Sequence, residues 1–182
     1  MQSKSKKSNA KFLAVRFGNV VGSSGSVIPL FEKQIKVGGP LTVTHPKMKR
    51  FFMTIPEAVQ LVLQTPILGK TGDILVLDMG EQYNLLELAK DMIMLNGFVP
   101  QKDIQVKISG IRKGEKMEEE LFGKKEILEK TQNPRISIIK TNLVAENKLQ
   151  NFLCNILNIE KFGDKEDIKE ILIKEFNKLN TS

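Results

Sequence analysis

The segment from Phe12 to Lys36 constrains the fold of this chain more than any other. An apolar run, Phe12-Leu13-Ala14-Val15-Arg16-Phe17, is closed by Gly18, and the glycine- and serine-rich stretch Gly18–Gly25 leads to Ser26. So short and apolar a run reads as a buried strand. Ser26 can cap a helix of about twelve residues, with Pro29 in the first turn, where its missing N–H is harmless. Strand, glycine-rich loop and helix together form the opening unit of an α/β architecture.

The rest of the chain repeats the alternation. Gly38-Gly39-Pro40 ends the first helix, and residues 41–44 and 50–54 look extended. Thr54-Ile55-Pro56-Glu57 has capping-box spacing and opens an apolar helix through Val59, Leu61, Val62 and Leu63. Residues 73–77 form a strand, and Asn84 with Glu87 gives a second capping box, whose helix carries Leu85, Leu88, Ala89, Met92 and Ile93 and stops at Gly97. Residues 104–108 alternate as a half-exposed strand; Gly110–Gly114 turns into a short acidic helix, Glu115–Phe122; residues 135–139 supply a last strand. Two helices close the chain, the second capped by Asp164 with Ile168, Ile171, Leu172 and Phe176 on one face. This predicts an α/β fold with at least some parallel pairing.

Composition narrows the classes. The chain has 182 residues, 41% of them hydrophobic, enough for a real core, and no run approaches the roughly 18 apolar residues of a membrane-spanning helix. The lone Cys154 excludes a disulfide framework and any multi-cysteine metal site. Met1 is followed by lysines without an apolar stretch, so no export signal is expected and a cytoplasmic location fits. The formal charge of +7 divides unevenly, with +9 in residues 1–50 and −2 in the remainder. Much of the excess lies in Lys4, Lys6, Lys7 and Lys11 of a polar tail, and no basic surface interleaved with aromatics is visible, so nucleic acid is not the expected partner. Only four of the 28 basic residues are arginine: Arg16, Arg50, Arg112 and Arg135. Arginine is the side chain suited to bidentate phosphate recognition, which directs attention to these positions.

On spacing alone the candidate chemistry stays open. Gly18–Gly25 reads G-x-x-x-G-x-x-G, neither the dinucleotide fingerprint nor a P-loop, and suits an ordinary connection as well as a phosphate-binding loop. Arg112-Lys113-Gly114-Glu115-Lys116 is either a grip for a diphosphate and a ribose or a solvated charged turn with a local ion pair. Arg50 is either a surface strand end or a phosphate ligand. His45 has no second ligand nearby and reads as structural rather than metal-binding. Cys154 reads as a small core residue, and Lys124-Lys125 and Glu118-Glu119-Glu120 as solvated faces. No nucleophile with a base at recognisable spacing and no pair of carboxylates in a pocket loop is present.

Three ordered motifs go further: Val15–Phe31 (Val-Arg-Phe-Gly-Asn-Val-Val-Gly-Ser-Ser-Gly-Ser-Val-Ile-Pro-Leu-Phe), Met48–Ala58 (Met-Lys-Arg-Phe-Phe-Met-Thr-Ile-Pro-Glu-Ala), and Arg112–Lys116. Together they strongly resemble the C-terminal part of the polysaccharide-biosynthesis nucleotide-sugar 4,6-dehydratases, extended short-chain dehydrogenase/reductase enzymes typified by UDP-N-acetylglucosamine 4,6-dehydratase. The resemblance covers about residues 12–140, and the closing segment, with Thr131-Gln132-Asn133-Pro134-Arg135-Ile136 and the Asp164–Phe176 helix, looks like the tail of the longer capsular-polysaccharide members. The organisation it implies is a basic tail over residues 1–11, then the last part of a Rossmann fold with a nucleotide-sugar-binding subdomain over 12–140, then a helical tail over 141–182.

The resemblance also implies roles. Phe17, Gly18 and Asn19 would line the nicotinamide of NAD or NADP, with Asn19 reaching the sugar diphosphate. Ser26, Val27, Thr42 and Val43 would surround the uracil and ribose. Arg50 and Arg112 would clamp the diphosphate, and Glu115 would take the ribose hydroxyls. The family's Arg-Pro-Gly-Glu-Lys is here Arg-Lys-Gly-Glu-Lys, which loosens the turn and keeps both ligating side chains. In such an enzyme NAD(P)+ takes a hydride from C4 of the sugar, water leaves across C5–C6, and the hydride returns to C6. The cofactor fingerprint and the acid, base and lysine of the catalytic motif would precede residue 12, so no catalytic residue and no metal ligand is assigned in this chain. The chain by itself is expected to be inactive. Its expected partners are a UDP-sugar, an N-terminal half on a separate chain, and further copies of itself in the complete enzyme. A nucleotide-sugar epimerase and a non-catalytic binding or assembly remnant are the competing readings, and longer relatives with an inner-membrane anchor are compatible with all of them.

Overall fold

The apolar Phe12–Phe17 run supplies strand β1 (Ala14–Arg16), which is followed after Gly18 by β2 (Asn19–Val20). A computed structural model of the protein describes residues 9–23, 25–123, 126–140, 146–160 and 169–174. Chain order continues α1 (Val27–Lys36), β3 (Leu41–Val43), β4 (Lys49–Arg50), β5 (Phe52–Met53), α2 (Ile55–Leu68), β6 (Ile74–Leu77), β7 (Tyr83–Asn84), α3 (Leu85–Leu95), β8 (Val106–Ile108), β9 (Ile127–Lys130), β10 (Ile136–Lys140) and α4 (Glu146–Glu160). Residues 169–174 are helical as well.

The main sheet runs β1-β6-β10-β9. β1 pairs parallel with β6, setting Val15 opposite Leu75, and β10 lies antiparallel to both β6 and β9. Three small ladders surround it: β2 with β5 and β3 with β8, both parallel, and β4 with β7, antiparallel. The parallel crossovers expected from the strand and helix alternation are therefore present.

Two cores divide the apolar residues. Ala58 and Leu61 of α2 pack on Leu75, Leu77 and Ile136 of the main sheet, with Met53 and Met79. Phe31 and Ile35 of α1 meet Leu41 and Val43 of β3, Met48, Ile104, and Leu85, Ala89, Met92 and Ile93 of α3. The three- and four-residue spacing of these side chains along each helix puts them on one stripe.

Helix starts follow local rules to different degrees. Thr54 caps α2 with a full capping box: its hydroxyl accepts from the Glu57 N–H (3.4 Å), and the Thr54 N–H donates to Glu57 Oε2 (3.3 Å). Thr54→Ala is expected to cost about 1 kcal/mol of stability and Thr54→Ser much less, read as a shift of the urea midpoint. Asn84 Oδ1 accepts from the N–H groups of Leu86 (2.8 Å) and Glu87 (3.2 Å), but Glu87 pairs with Lys90 (2.9 Å), so α3 has a simple cap rather than a second box. Ser26 stands at the N-cap of α1 in extended geometry without a side-chain capping bond, and α1 is ten residues long.

Two further expectations need correction, and others fall outside the described residues. Residues 115–122 form no helix. Their main-chain carbonyls at Met117, Glu119 and Leu121 accept instead from Lys49 N–H (3.0 Å), Gln82 Nε2 (2.7 Å) and Arg16 Nη1 (3.4 Å), so partners distant in sequence hold the segment open. Strand β9 had no clear local signal, and pairing with β10 makes it a strand. Cys154 is exposed rather than a core residue, because none of the buried hydrophobic residues among those described comes from α4. The Asp164 cap, Ile168, Phe176, Ser24, Lys124-Lys125 and the basic residues before Asn9 lie outside the described residues. No helix among the described residues is long and apolar enough to cross a membrane.

Candidate functional site

The carboxyl end of β1 passes directly into β2, whose Asn19 sits opposite Phe52 of β5 and donates its N–H to the Phe51 carbonyl (3.2 Å). The backbone at Gly18 is flush with Phe51, since a Cβ there would stand 2.7 Å from the Phe51 Cβ. Close packing therefore requires this glycine. Phe17, beside it, is 39% exposed at the end of a parallel strand, the edge where ligands bind in α/β sheets.

Arg50 of β4 is the best-held charge in this region, its side chain only 12% exposed. Nη1 donates to the carbonyls of Lys49 (2.7 Å) and Met117 (3.2 Å). Nε lies 3.5 Å from Glu119 Oε1, and Nη2 lies 3.6 Å from Glu115 Oε1. Glu115 is itself tied down: Oε1 accepts from Thr44 Oγ1 (3.1 Å) and Oε2 from the Arg112 N–H (3.1 Å). The Arg112 side chain is exposed, with no ion pair to Glu115, so the charged-turn alternative is realised only through the backbone.

The structure thus brings Arg50, Glu115 and the Arg112 turn together. Glu119 joins them and reaches the β1–β2 connection, its Oε2 being 3.5 Å from where a Gly18 Cβ would stand. Reading Glu119 as part of a solvated face missed this, as Arg50 is too distant in sequence for any spacing rule to connect the two. Glu118, by contrast, makes only an exposed pair with Lys49 (3.5 Å).

The residues expected around the base and ribose are placed less uniformly. Ser26 Oγ is buried and has no hydrogen-bond partner. Thr42 is engaged by Gln34 of α1, which donates to its hydroxyl (2.8 Å) and accepts from its N–H (3.1 Å). Val27 packs partly buried against the α1 core, and Val43, 2% exposed, keeps its side chain inside that core. The Val43 carbonyl accepts from the Ser109 N–H (2.9 Å) in the β3–β8 ladder, so a ligand meets neither its side chain nor that carbonyl.

Two of the four arginines serve the frame. Arg135 Nη1 pairs with Glu57 (2.7 Å), and Arg16 Nη1 with Glu126 (2.8 Å). The Arg16 hydrogen bond, with the Gly123 N–H behind it, holds the Glu126 carboxyl below its ordinary value of 4.5. The Arg135 hydrogen bond and the Thr54 N–H do the same for Glu57. A folded-state pKa below the unfolded one contributes stability that is present above the unfolded value and disappears as pH falls through the folded one. The difference in melting temperature between the wild type and Glu126→Gln should therefore be small, positive near neutrality, and shrink toward zero on acidification below pH 4.5. His45 Nδ1 accepts from the Lys47 N–H (3.1 Å), a local turn role, and the described residues hold no cluster of three metal-ligating side chains.

Parallel strand pairing with α-helical crossovers defines an α/β protein, and solved chains sharing its fold include a dTDP-glucose 4,6-dehydratase and a UDP-N-acetylglucosamine 4-epimerase. The chain belongs to the polysaccharide biosynthesis protein family, which it matches over residues 1–141. It is 54% identical over 135 residues to the probable polysaccharide biosynthesis protein EpsC of Bacillus subtilis, covering 74% of this chain and 22% of that one. The crystal structure of Pen from Bacillus thuringiensis superposes with a TM-score of 0.65 at 38% identity, covering 78% of this chain and 42% of Pen. The dTDP-glucose 4,6-dehydratase DesIV of Streptomyces venezuelae, solved with NAD bound, shares the fold alone, at TM-score 0.56, 19% identity and coverage of 67% and 38%. The chain spans less than half the length of each of these relatives.

Proposed function

We propose that this chain is the substrate-binding part of a nucleotide-sugar 4,6-dehydratase acting on a UDP-N-acetylhexosamine for surface polysaccharide synthesis. The observation that carries the reading is Arg50, a largely buried guanidinium held by main-chain carbonyls, with its Nη2 edge 3.6 Å from the Glu115 carboxylate, beyond hydrogen-bond length. Such an arrangement suits a phosphate oxygen better than a solvent-exposed charge would, because the fork is already ordered before the anion arrives. Arg112 adds a second, exposed guanidinium from the neighbouring turn, and Glu115, near Arg50 Nη2 and bound by the Arg112 N–H, would accept from ribose hydroxyls. Ser26, with its unpartnered hydroxyl, would meet the base, beside Thr42 and Val43 of β3. Phe17 and Asn19 would flank the nicotinamide of NAD or NADP, whose contribution when bound is to accept and return a hydride. These residues bind and orient; the proton-transfer groups come from the cofactor-binding half, whether on the same or a separate chain. Residues 12–140 would form this binding unit, with 1–11 and 141–182 as tails.

Titration of the 182-residue chain with UDP tests the binding reading. Saturable binding that uridine does not reproduce supports it, and no binding at low ionic strength overturns it. The reaction is tested by supplying the cofactor-binding half of a family member together with UDP-N-acetylglucosamine. A product lighter by one water identifies a dehydratase, and an isomer of unchanged mass would make the assembly an epimerase instead.

A further inference from the structure

We infer that Glu119 is a positioning residue for Arg50, holding its Nε edge so that Nη2 is the edge traded from Glu115 to a phosphate oxygen. The inference deepens the diphosphate reading above and rests on it. A guanidinium has five N–H donors. Both on Nη1 face main-chain carbonyls, at 2.7 and 3.2 Å, which cannot move without moving the chain. Nε lies 3.5 Å from Glu119 Oε1, an ion-pair contact. That leaves Nη2, whose partner Glu115 Oε1 stands at 3.6 Å and already accepts from the Thr44 hydroxyl. An incoming anion therefore competes with Glu115 for Nη2 and leaves the other two edges in place. Displaced Glu115 stays near through the Arg112 N–H, within reach of ribose hydroxyls.

The Glu119 main chain is fixed, its carbonyl accepting from Gln82 Nε2 (2.7 Å), and its Oε2 is buried without a hydrogen-bond partner, beside Gly18. A buried carboxylate oxygen without a partner costs stability, so the residue is not simply a solvated charge. Its negative charge also works against an anionic ligand. A mere counter-charge would therefore weaken UDP binding, and deleting it would strengthen binding. A positioning carboxylate behaves oppositely, because the orientation of Arg50 is lost with it.

Glu119→Gln keeps an acceptor for Nε and removes the charge, while Glu119→Ala removes both. Glu119→Met, which fills the volume without an acceptor, replaces the alanine variant if that variant does not fold. UDP and uridine affinities are measured by calorimetry, and the Arg50 Nε–H resonance is followed by NMR in the free protein. The expected result is a loss of about tenfold in UDP affinity for Glu119→Ala with uridine affinity unchanged, and UDP affinity within about threefold of wild type for Glu119→Gln. The Nε–H signal should persist in the glutamine variant and broaden in the alanine one. Equal or tighter UDP binding by Glu119→Ala, or an equal loss in both variants, would overturn the inference. If wild type binds no UDP, the nucleotide reading fails, and the Nε–H signal still decides whether Glu119 holds the guanidinium: a signal unchanged in Glu119→Ala rejects that role.

Discussion

Phe31→Ala is expected to destabilise the protein by about 3–5 kcal/mol, the largest stability effect expected of a single truncation. Phe31 is fully buried and sits where α1, β3 and α3 converge, packed among Ile35, Leu41, Val43, Met48 and Ile93. Removing the ring loses its transfer free energy and leaves a cavity that three elements converging from different directions cannot close. Leu30, its neighbour on the same helix, is 43% exposed, and Leu30→Ala should cost under about 1 kcal/mol. Urea unfolding of both variants checks the contrast. Because Ala58, Leu61 and Leu75 belong to a separate core around the main sheet, probes in the two cores of Phe31→Ala should also show transitions that no longer coincide.

Arg50→Ala is expected to lower affinity for UDP by roughly 10- to 150-fold, the range of about 1.5–3 kcal/mol for hydrogen bonds to a charged group. Uridine, which lacks the anion, should bind the variant and the wild type alike. Arg50→Lys should not restore binding. An ammonium cannot reach the Lys49 and Met117 carbonyls, Glu119 and Glu115 at once, as the planar fork does. The substitution also leaves Glu115 and Glu119 without their shared cation, and these carboxylates are 22% and 30% exposed, so a loss of stability accompanies the loss of binding. Calorimetric titration beside a urea curve separates the two effects. An Arg50→Ala chain that is stable and binds UDP normally would remove Arg50 from the anion site.

What could be read locally was read well. The Thr54 box, the Asn84 cap, the glycine stop near Gly97 and the strands at 74–77 and 136–140 each depend on neighbours a few residues away. The charged segment after Gly114 was misread as a helix for the same reason: its composition suits one, and its competing partners are remote. Cys154 shows a different limit, because apolar periodicity identifies the face of a helix and says nothing of whether another element covers it.

By itself, then, the sequence determined the α/β alternation, the starts of α2 and α3, the two apolar stripes that became cores, and which arginine-bearing motifs to follow. Tertiary structure alone decided which arginines are closed into ion pairs of the frame and which is gathered with Glu115 and Glu119. Arg16 and Arg135 are closed into short pairs with Glu126 and Glu57, while Arg50 meets Met117, 67 residues away, and its Nη2 stands 3.6 Å from Glu115. The physical reason is that capping and periodicity act within a helical turn, whereas the partner of a guanidinium is set by which distant segments the sheet brings alongside it.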